Sequence, residues 1–485
     1  MLAVLCFCFA AVALDNTKLY AALPTLARAW ALGPIAQSWI APANLVVYVS
    51  LLILGGSLGE RFGARPVLFW GLCIFGGASL AAAMARSACT LIAARMGVGL
   101  GAALMTPATL ATIKHTFDEG ERPRAVALWT ASFGVAAAAG PVLAGVLLER
   151  WGWRSVLLAN VPVAAAALVA GRALVPAGLP RLEVPFDGAG AALSFAATSA
   201  LVFAILRGPW LGWLRADVLG AIATAGVASA LLVRRERRAR HPMLDPALFR
   251  HPRFRRALVL ILLSYLAYAG VTFVLAQYLQ IGRARSPTEA GILSVPLPAS
   301  MLVGTLCAPL LLARAGLDRA LALSLGAAAA GAILLVAAAV RGDGALLGAG
   351  QALLGAGCGG AFANATEMVM AAVPLERAGS AAGINETTFE FAGVLGIAVM
   401  SALLGWPAAS ASSAAEQGAA APAGVAADAA VRAAMVEGAA RALAVAAAAI
   451  VVAAAIAAMA AIAAATAARV PRAVRDAKSG PRPPA

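Results

Sequence analysis

The chain has 485 residues, of which 62% are hydrophobic and only 12% charged, and its mean hydropathy is +0.88. Soluble domains carry about 25% charged residues, so a chain this long and this poor in charge could not cover its own surface, and a soluble globular protein is excluded. The formal charge of +15 would suit nucleic acid, but the basic residues stand in short clusters between long apolar runs, which is the pattern of membrane topology signals; no nucleic-acid partner is expected.

Crossing a hydrocarbon layer of about 30 Å takes about 20 mostly apolar residues in a helix. Fourteen segments qualify in chain order: 2–26, 38–58, 66–85, 91–113, 125–148, 156–175, 188–206, 217–233, 257–280, 289–313, 318–340, 345–373, 379–404 and 441–468. Their length and continuity predict helices, since barrel strands would show short alternating stretches. Met1 to Leu14 has no basic leader and no small-x-small cleavage site, so it reads as a first spanning helix and not as a signal peptide. Residues 406–440, rich in Ala, Ser and Gly, read as a flexible external loop.

Lys and Arg orient the segments. Loops after even-numbered segments, with the C-terminal tail, hold 24 of the 37 basic residues, and loops after odd-numbered segments hold 11. The bias predicts both termini in the cytoplasm. The densest cluster, from Arg234 to Arg256, joins segments 8 and 9 and reads as a topology anchor near anionic lipid. The six cysteines have neither disulfide nor zinc spacing, and His115, His241 and His251 all fall in polar loops, so no metal and no cofactor is expected.

Two stretches about 255 residues apart resemble each other. Gly97, Gly99 and Gly101 in segment 4 recur as Gly355, Gly357 and Gly359 in segment 12, and Ala108-Thr109 recurs as Ala365-Thr366. Arg124 and Gly140 of segment 5 recur as Arg377 and Gly393 of segment 13. An eight-helix shift implies an N-terminal six-helix half at 1–175 and a C-terminal half at 257–468. Two inserted helices at 188–233, a basic loop at 234–256 and a basic tail at 469–485 complete the division. Repeats of this kind are a transporter architecture, with the substrate site between the halves near the midplane.

Several motifs resemble the fourteen-helix drug:proton antiporter branch of the major facilitator superfamily. Leu14-Asp15-Asn16-Thr17 with Ala22-Leu23-Pro24 resembles its first-helix motif. The run Gly56 to Arg65, containing Glu60, Arg61 and Gly63, looks like its loop between helices 2 and 3, with Glu60 where Asp is usual. Arg95 before Gly97, Gly99 and Gly101 is similar to its helix 4 motif, with Val98 in place of the usual Gln. Gly134 through Gly140-Pro141 to Gly145 is similar to its helix 5 antiporter motif, with Ala136 and Ala144 replacing glycines. Trp153-Arg154, Asn160-Val161-Pro162, Leu244 to Arg250, Gln277 to Gln280, and Val373 to Gly379 leading to Asn385-Glu386-Thr387-Thr388 also look like this branch. The resemblance covers residues 1–405 and implies an all-α integral membrane protein. It implies a monomer in the cytoplasmic (inner) membrane that exchanges protons for a small amphipathic or cationic substrate across the lipid bilayer.

Ionisable residues within spans are functional candidates, because a charge in hydrocarbon costs several kcal/mol unless paired or wetted. Asp15, Lys18, Arg95, Glu367, Glu386 and Glu390 stand out. Glu386 and Glu390 are one turn apart on one helix face, and two neighbouring carboxylates suit a proton carrier. Glu367 lies towards the cytoplasmic end of segment 12. The resemblance makes Asp15 a proton or cation site, yet Lys18 at i+3 either locks it in a pair or points elsewhere. Arg95 either partners an acidic group across the cavity or anchors segment 4. The leading expectation is a proton-coupled exporter; the alternatives are an exporter dedicated to one endogenous metabolite, and a polytopic membrane enzyme. The enzyme would need a His/Asp or paired-carboxylate centre at one face, and there is no histidine within a span.

Overall fold

The computed structural model describes residues 1–30, 39–40, 43–177, 187–239, 248–404 and 425–469, and the regular structure among them is helical throughout. Helices are what these long apolar runs demand, because in lipid every backbone amide must be paired within the protein and a helix pairs them within its own segment. The spans in chain order are α1 (Leu2–Ala29), α2 (Ala43–Phe62), α3 (Ala64–Ala83), α4 (Ala88–Thr116) and α5 (Arg122–Trp151). Next come α6 (Trp153–Leu158 continuing as Asn160–Leu174), α7 (Gly188–Leu211), α8 (Ala216–Glu236) and α9 (Pro252–Gln277, ending in a wide turn at Tyr278–Gly282). The remainder are α10 (Pro287–Ser294 and Pro296–Ala315), α11 (Leu317–Arg341), α12 (Gly344–Ala371), α13 (Ala378–Leu403) and α14 (Val425–Arg469). Thirteen are long and apolar enough to cross a membrane as they stand. A fourteenth is α5, whose parts Arg122–Ala137 and Val142–Trp151 meet at a bend of 43° around Gly140-Pro141, where proline removes a backbone donor.

Local chemistry fixes the helix ends. Ser87 and Thr90 form a reciprocal capping box opening α4, Ser286 and Glu289 another opening α10, and the Asp343 carboxylate accepts from Ala345 N and Leu346 N to open α12. Each satisfies amides that the first turn leaves without partners.

Helix α1 packs on α4, α5 and α6; α2 on α3 and α4; α3 on α4 and α6. Helix α9 packs on α12, α13 and α14; α10 on α11 and α12; α11 on α12 and α14. The second set is the first moved on by eight helices. Contacts between the sets follow the same rule: α13 packs on α2 and α4, and α5 packs on α10 and α12. Helices α7 and α8 pair with each other, and α7 rests on both α2 and α13.

The close approaches repeat in atomic detail. A Cβ on Gly101 would strike the N and Cα of Phe75 and the O of Gly71; one on Gly357 would strike the N and Cα of Ala328 and the O of Ser324. The hairpins α2–α3 and α10–α11 both turn through a left-handed glycine, Gly63 at φ 93° and Gly316 at φ 77°, a conformation that a side chain disfavours. These contacts correct the glycine alignment. Gly99 faces α2 at Asn44, and its counterpart facing α10 is Gly355, not Gly357. The sequence pairing of Gly97 with Gly355 is therefore two residues out. Glycines spaced by two point alternately at two neighbouring helices, so the pattern can slide by two and still match in letters, while the packing cannot.

Two further boundaries differ from expectation. Residues 425–440 are helical and belong to α14, although they read as loop; Met435 and Ala439 are buried, and Gly438 lies against Leu404 O. Alanine favours helix more than any other residue, and in this stretch that preference prevails over interruptions such as Asp428 and Arg432. Helix α8 runs through Arg234 and Arg235 to Glu236, so the basic loop begins inside a helix. The rest of the 406–440 loop, the motif residues Leu244 to Ala247, His241 and the tail after Arg469 lie outside the described residues.

Candidate functional site

A cavity of about 330 Å³ lies where the two helix sets meet, walled by α1, α5, α9, α10, α12 and α13. Its acidic wall is α13. Glu386 stands eight residues into that helix and Glu390 twelve, about 12 and 18 Å from its start at 1.5 Å per residue, which places both near the middle of the span. The four-residue spacing turns both carboxylates to the cavity. Glu386 is buried and accepts a hydrogen bond from Asn385 Nδ2 at 2.9 Å; Glu390 is half-buried. Among the described residues neither carboxylate has a cationic partner.

Aromatic rings surround this pair. Tyr265, Phe362 and Phe389 meet edge to face at centroid distances of 5.2 to 5.5 Å, with Tyr268 5.8 Å from Phe362. On the facing wall Phe9 stacks flat on Trp129 at 3.8 Å, and Trp129 Nε1 donates to Thr109 Oγ1 at 3.0 Å. The hydroxyls of Thr130 and Thr366 also line the cavity and have no hydrogen-bond partner among the described residues. Ring faces attract cations, carboxylates without a counter-ion take up a proton or a cation, and spare hydroxyls orient a polar group. The chamber therefore suits a small amphipathic cation.

Asp15 lies elsewhere, in the interior of α1, α3, α4 and α6. Arg95 Nη1 donates to Asp15 Oδ2 at 2.6 Å, and both side chains are 1% exposed. Asn160 Nδ2 donates to Asp15 Oδ1 at 2.6 Å and to Ser79 Oγ at 3.0 Å. Lys18, fully buried, donates to Asn160 Oδ1. Arg95 therefore holds Asp15 directly, and Lys18 reaches the cluster through Asn160. The group has two cations and one carboxylate.

Glu367 is also away from the cavity. Arg122 contacts it through Nη2 at 2.7 Å and Nε at 2.8 Å. Beside it, Lys114 donates to the carbonyls of Met370 and Val373 at the end of α12. At the same end of the bundle Glu60 accepts from Ser380 N at 2.6 Å and pairs with Arg377 at 3.6 Å, where Gly56 and Gly379 meet backbone to backbone. Each of these three contact sets joins α1–α6 to α9–α14, and all lie where the loops after even-numbered helices gather.

The remaining motif residues divide by task. Arg65 donates to Arg172 O at the end of α6 at 2.7 Å, and Arg61 lies 5.1 Å from the Phe62 ring. Gly134 lines the cavity opposite Met301, Gly140 packs on Thr17, and Gly145 has open space around it. Sequence reasoning singled out the carboxylates and passed over the aromatic cage, Lys114 and Arg122. One signal was available: Tyr265 and Tyr268, two of only five tyrosines, sit one turn apart in one apolar segment.

Two helix sets in the same contact order around a midplane chamber define a membrane transporter of the alternating-access class. The Major Facilitator Superfamily family model matches residues 5–397, and the chain belongs to that family. It is 31% identical over 399 residues to the multidrug resistance protein Stp of Mycobacterium tuberculosis, covering 82% of this chain and 74% of that protein. It is 32% identical over 403 residues to the multidrug efflux pump LfrA of Mycolicibacterium smegmatis, covering 83% and 80%. Among solved structures, the human organic anion transporter MFSD10 matches with a TM-score of 0.64 at 15% identity, covering 94% of this chain and 98% of that one. That likeness concerns the fold alone.

Proposed function

We propose that this protein is a proton-coupled exporter of small amphipathic cations across the cytoplasmic membrane, working as a monomeric carrier and not as an enzyme. The carrying observation is the Glu386–Glu390 pair, set in an aromatic chamber and without a basic partner among the described residues. Protonation of Glu386 would remove the charge that holds a cationic substrate and so release it; loss of that proton would restore the site. Helices α1–α6 and α9–α14 act as the two rocking halves, a reading supported by their matching contacts, with α7 and α8 outside the repeat. The basic bias of the even-numbered loops supports cytoplasmic termini. On that orientation the Glu60, Lys114 and Arg122 contacts close the cytoplasmic side.

Uptake of a fluorescent aromatic monocation into everted vesicles, with and without an imposed proton gradient, tests the reading. Gradient-dependent uptake that vanishes in Glu386→Gln is expected. Normal transport by that variant, with Asp15→Asn folding well and failing to transport, would move the proton site to Asp15. Reporter fusions after Arg256 and after Gly418 are expected inside and outside respectively; the same side for both would break the topology.

A further inference from the structure

Of the thirteen unbent spans, α8 is the one least covered by the rest of the protein. It exposes Val227, Leu231 and Val233, apolar side chains suited to contact with lipid along a membrane-spanning helix. That apolar shaft ends in four arginines within five residues, Arg234, Arg235, Arg237 and Arg238. Arg235 is committed to structure: it donates through Nη2 to Asp187 Oδ1 at 2.6 Å and through Nε at 2.9 Å, while Asp187 caps α7 by accepting from Gly190 N at 2.8 Å. These hydrogen bonds from Arg235 hold the Asp187 carboxyl below the usual carboxylate range, so the clasp stays charged and fixes the base of the hairpin.

Among the described residues Arg234, Arg237 and Arg238 have no ion-pair partner. Arg234 and Arg238 are one turn apart and line two adjoining clefts. One, of about 440 Å³, lies between α7 and α8 against Leu193 and Leu231; the other, of about 660 Å³, is bounded by Val233 and Arg237. Each cleft is lined by guanidinium groups from the end of α8 and by apolar side chains from further into the span. A guanidinium fork matches phosphate oxygens, but a free phosphate has no use for the apolar lining, and a molecule with both an anionic head and hydrocarbon tails has. We infer that the basic end of the α7–α8 hairpin is a binding site for an anionic phospholipid, its phosphate held between Arg234 and Arg238 and its acyl chains lying along α8. Because α7 rests on α2 and α13, one from each helix set, an occupied site ties the leaflet to both sets at once.

The test uses the full chain purified in detergent and titrated with phosphatidylglycerol or phosphatidylcholine, with bound lipid counted by native mass spectrometry. Wild type is expected to retain phosphatidylglycerol and to lose phosphatidylcholine; equal retention of both overturns the inference without any variant. Arg234→Gln/Arg238→Gln is expected to bind phosphatidylglycerol on the order of thirtyfold more weakly, from about 1 kcal/mol per basic residue, with Arg234→Lys/Arg238→Lys in between. Unchanged binding in the Gln variant overturns the site. Inorganic phosphate is expected not to displace the lipid; displacement at matched concentration would identify a plain anion site and overturn the lipid assignment.

Discussion

Asp15 and Glu386 are both withdrawn from solvent, at 1% and 4% exposure, yet their surroundings are opposite. Arg95 and Asn160 occupy both oxygens of Asp15, with Lys18 close behind. Glu386 has one neutral donor, a second carboxylate one turn on, and rings elsewhere. A buried carboxylate held by cations is bound to its charged form, whereas one left without them keeps both protonation states within reach. Burial alone marks neither as a carrier; the partners separate them.

Three experiments press on that contrast and a fourth, on the glycines, presses on the likeness of the two helix sets. Glu386→Gln removes the proposed proton carrier and keeps shape and hydrogen-bonding capacity, so gradient-driven transport is expected to fall by about a hundredfold or more with membrane insertion unchanged; wild-type rates in the vesicle assay would remove the distinction. Asp15→Asn leaves two buried cations without a carboxylate, and breaking a buried pair costs about 3–5 kcal/mol. It is expected to lower folded yield measured by fluorescence-detected size exclusion, and Lys18→Leu on that background is expected to recover part of it. Gly101→Ala drives a methyl into the backbone of Phe75, at about 1–3 kcal/mol of overpacking. Gly357→Ala is expected to lower the melting temperature by a similar amount, and unequal effects would weaken the equivalence of the two sites. Phe389→Leu removes one ring from the cage while keeping bulk; a loss of about 0.5–2 kcal/mol in cation binding, read as a several-fold rise in KM with little change in Tm, is the smallest effect expected.

The spans were legible because lipid imposes a length and a composition on them, and the motif glycines because close helix approach admits little else. The wide cage was not. Tyr265, Phe362 and Phe389 come from three helices, and in a chain that is 62% hydrophobic an aromatic residue lining a chamber looks like one facing lipid. Arg95 was legible as the partner of an acidic group, but placed across the cavity; it holds Asp15, eighty residues away in sequence, within its own helix set, a neighbour in space where Lys18 is the neighbour in sequence. Lys114 went unnoticed because its partners are backbone carbonyls, which leave no trace in the letters. The Gly97–Gly355 pairing failed because identity cannot tell which neighbouring helix a glycine faces.

Helix α14 runs unbroken from Val425 to Arg469, 45 residues or about 67 Å at 1.5 Å per residue, more than twice the thickness of the hydrocarbon layer. Its first turns precede the stretch that is buried against Leu404 and continue the axis of a helix anchored in the bundle. For electron cryomicroscopy that is a practical asset. A rigid domain inserted in helical register ahead of Val425 is expected to extend from the bundle as a fiducial, giving particles of a 48.5 kDa protein an external feature by which to be aligned.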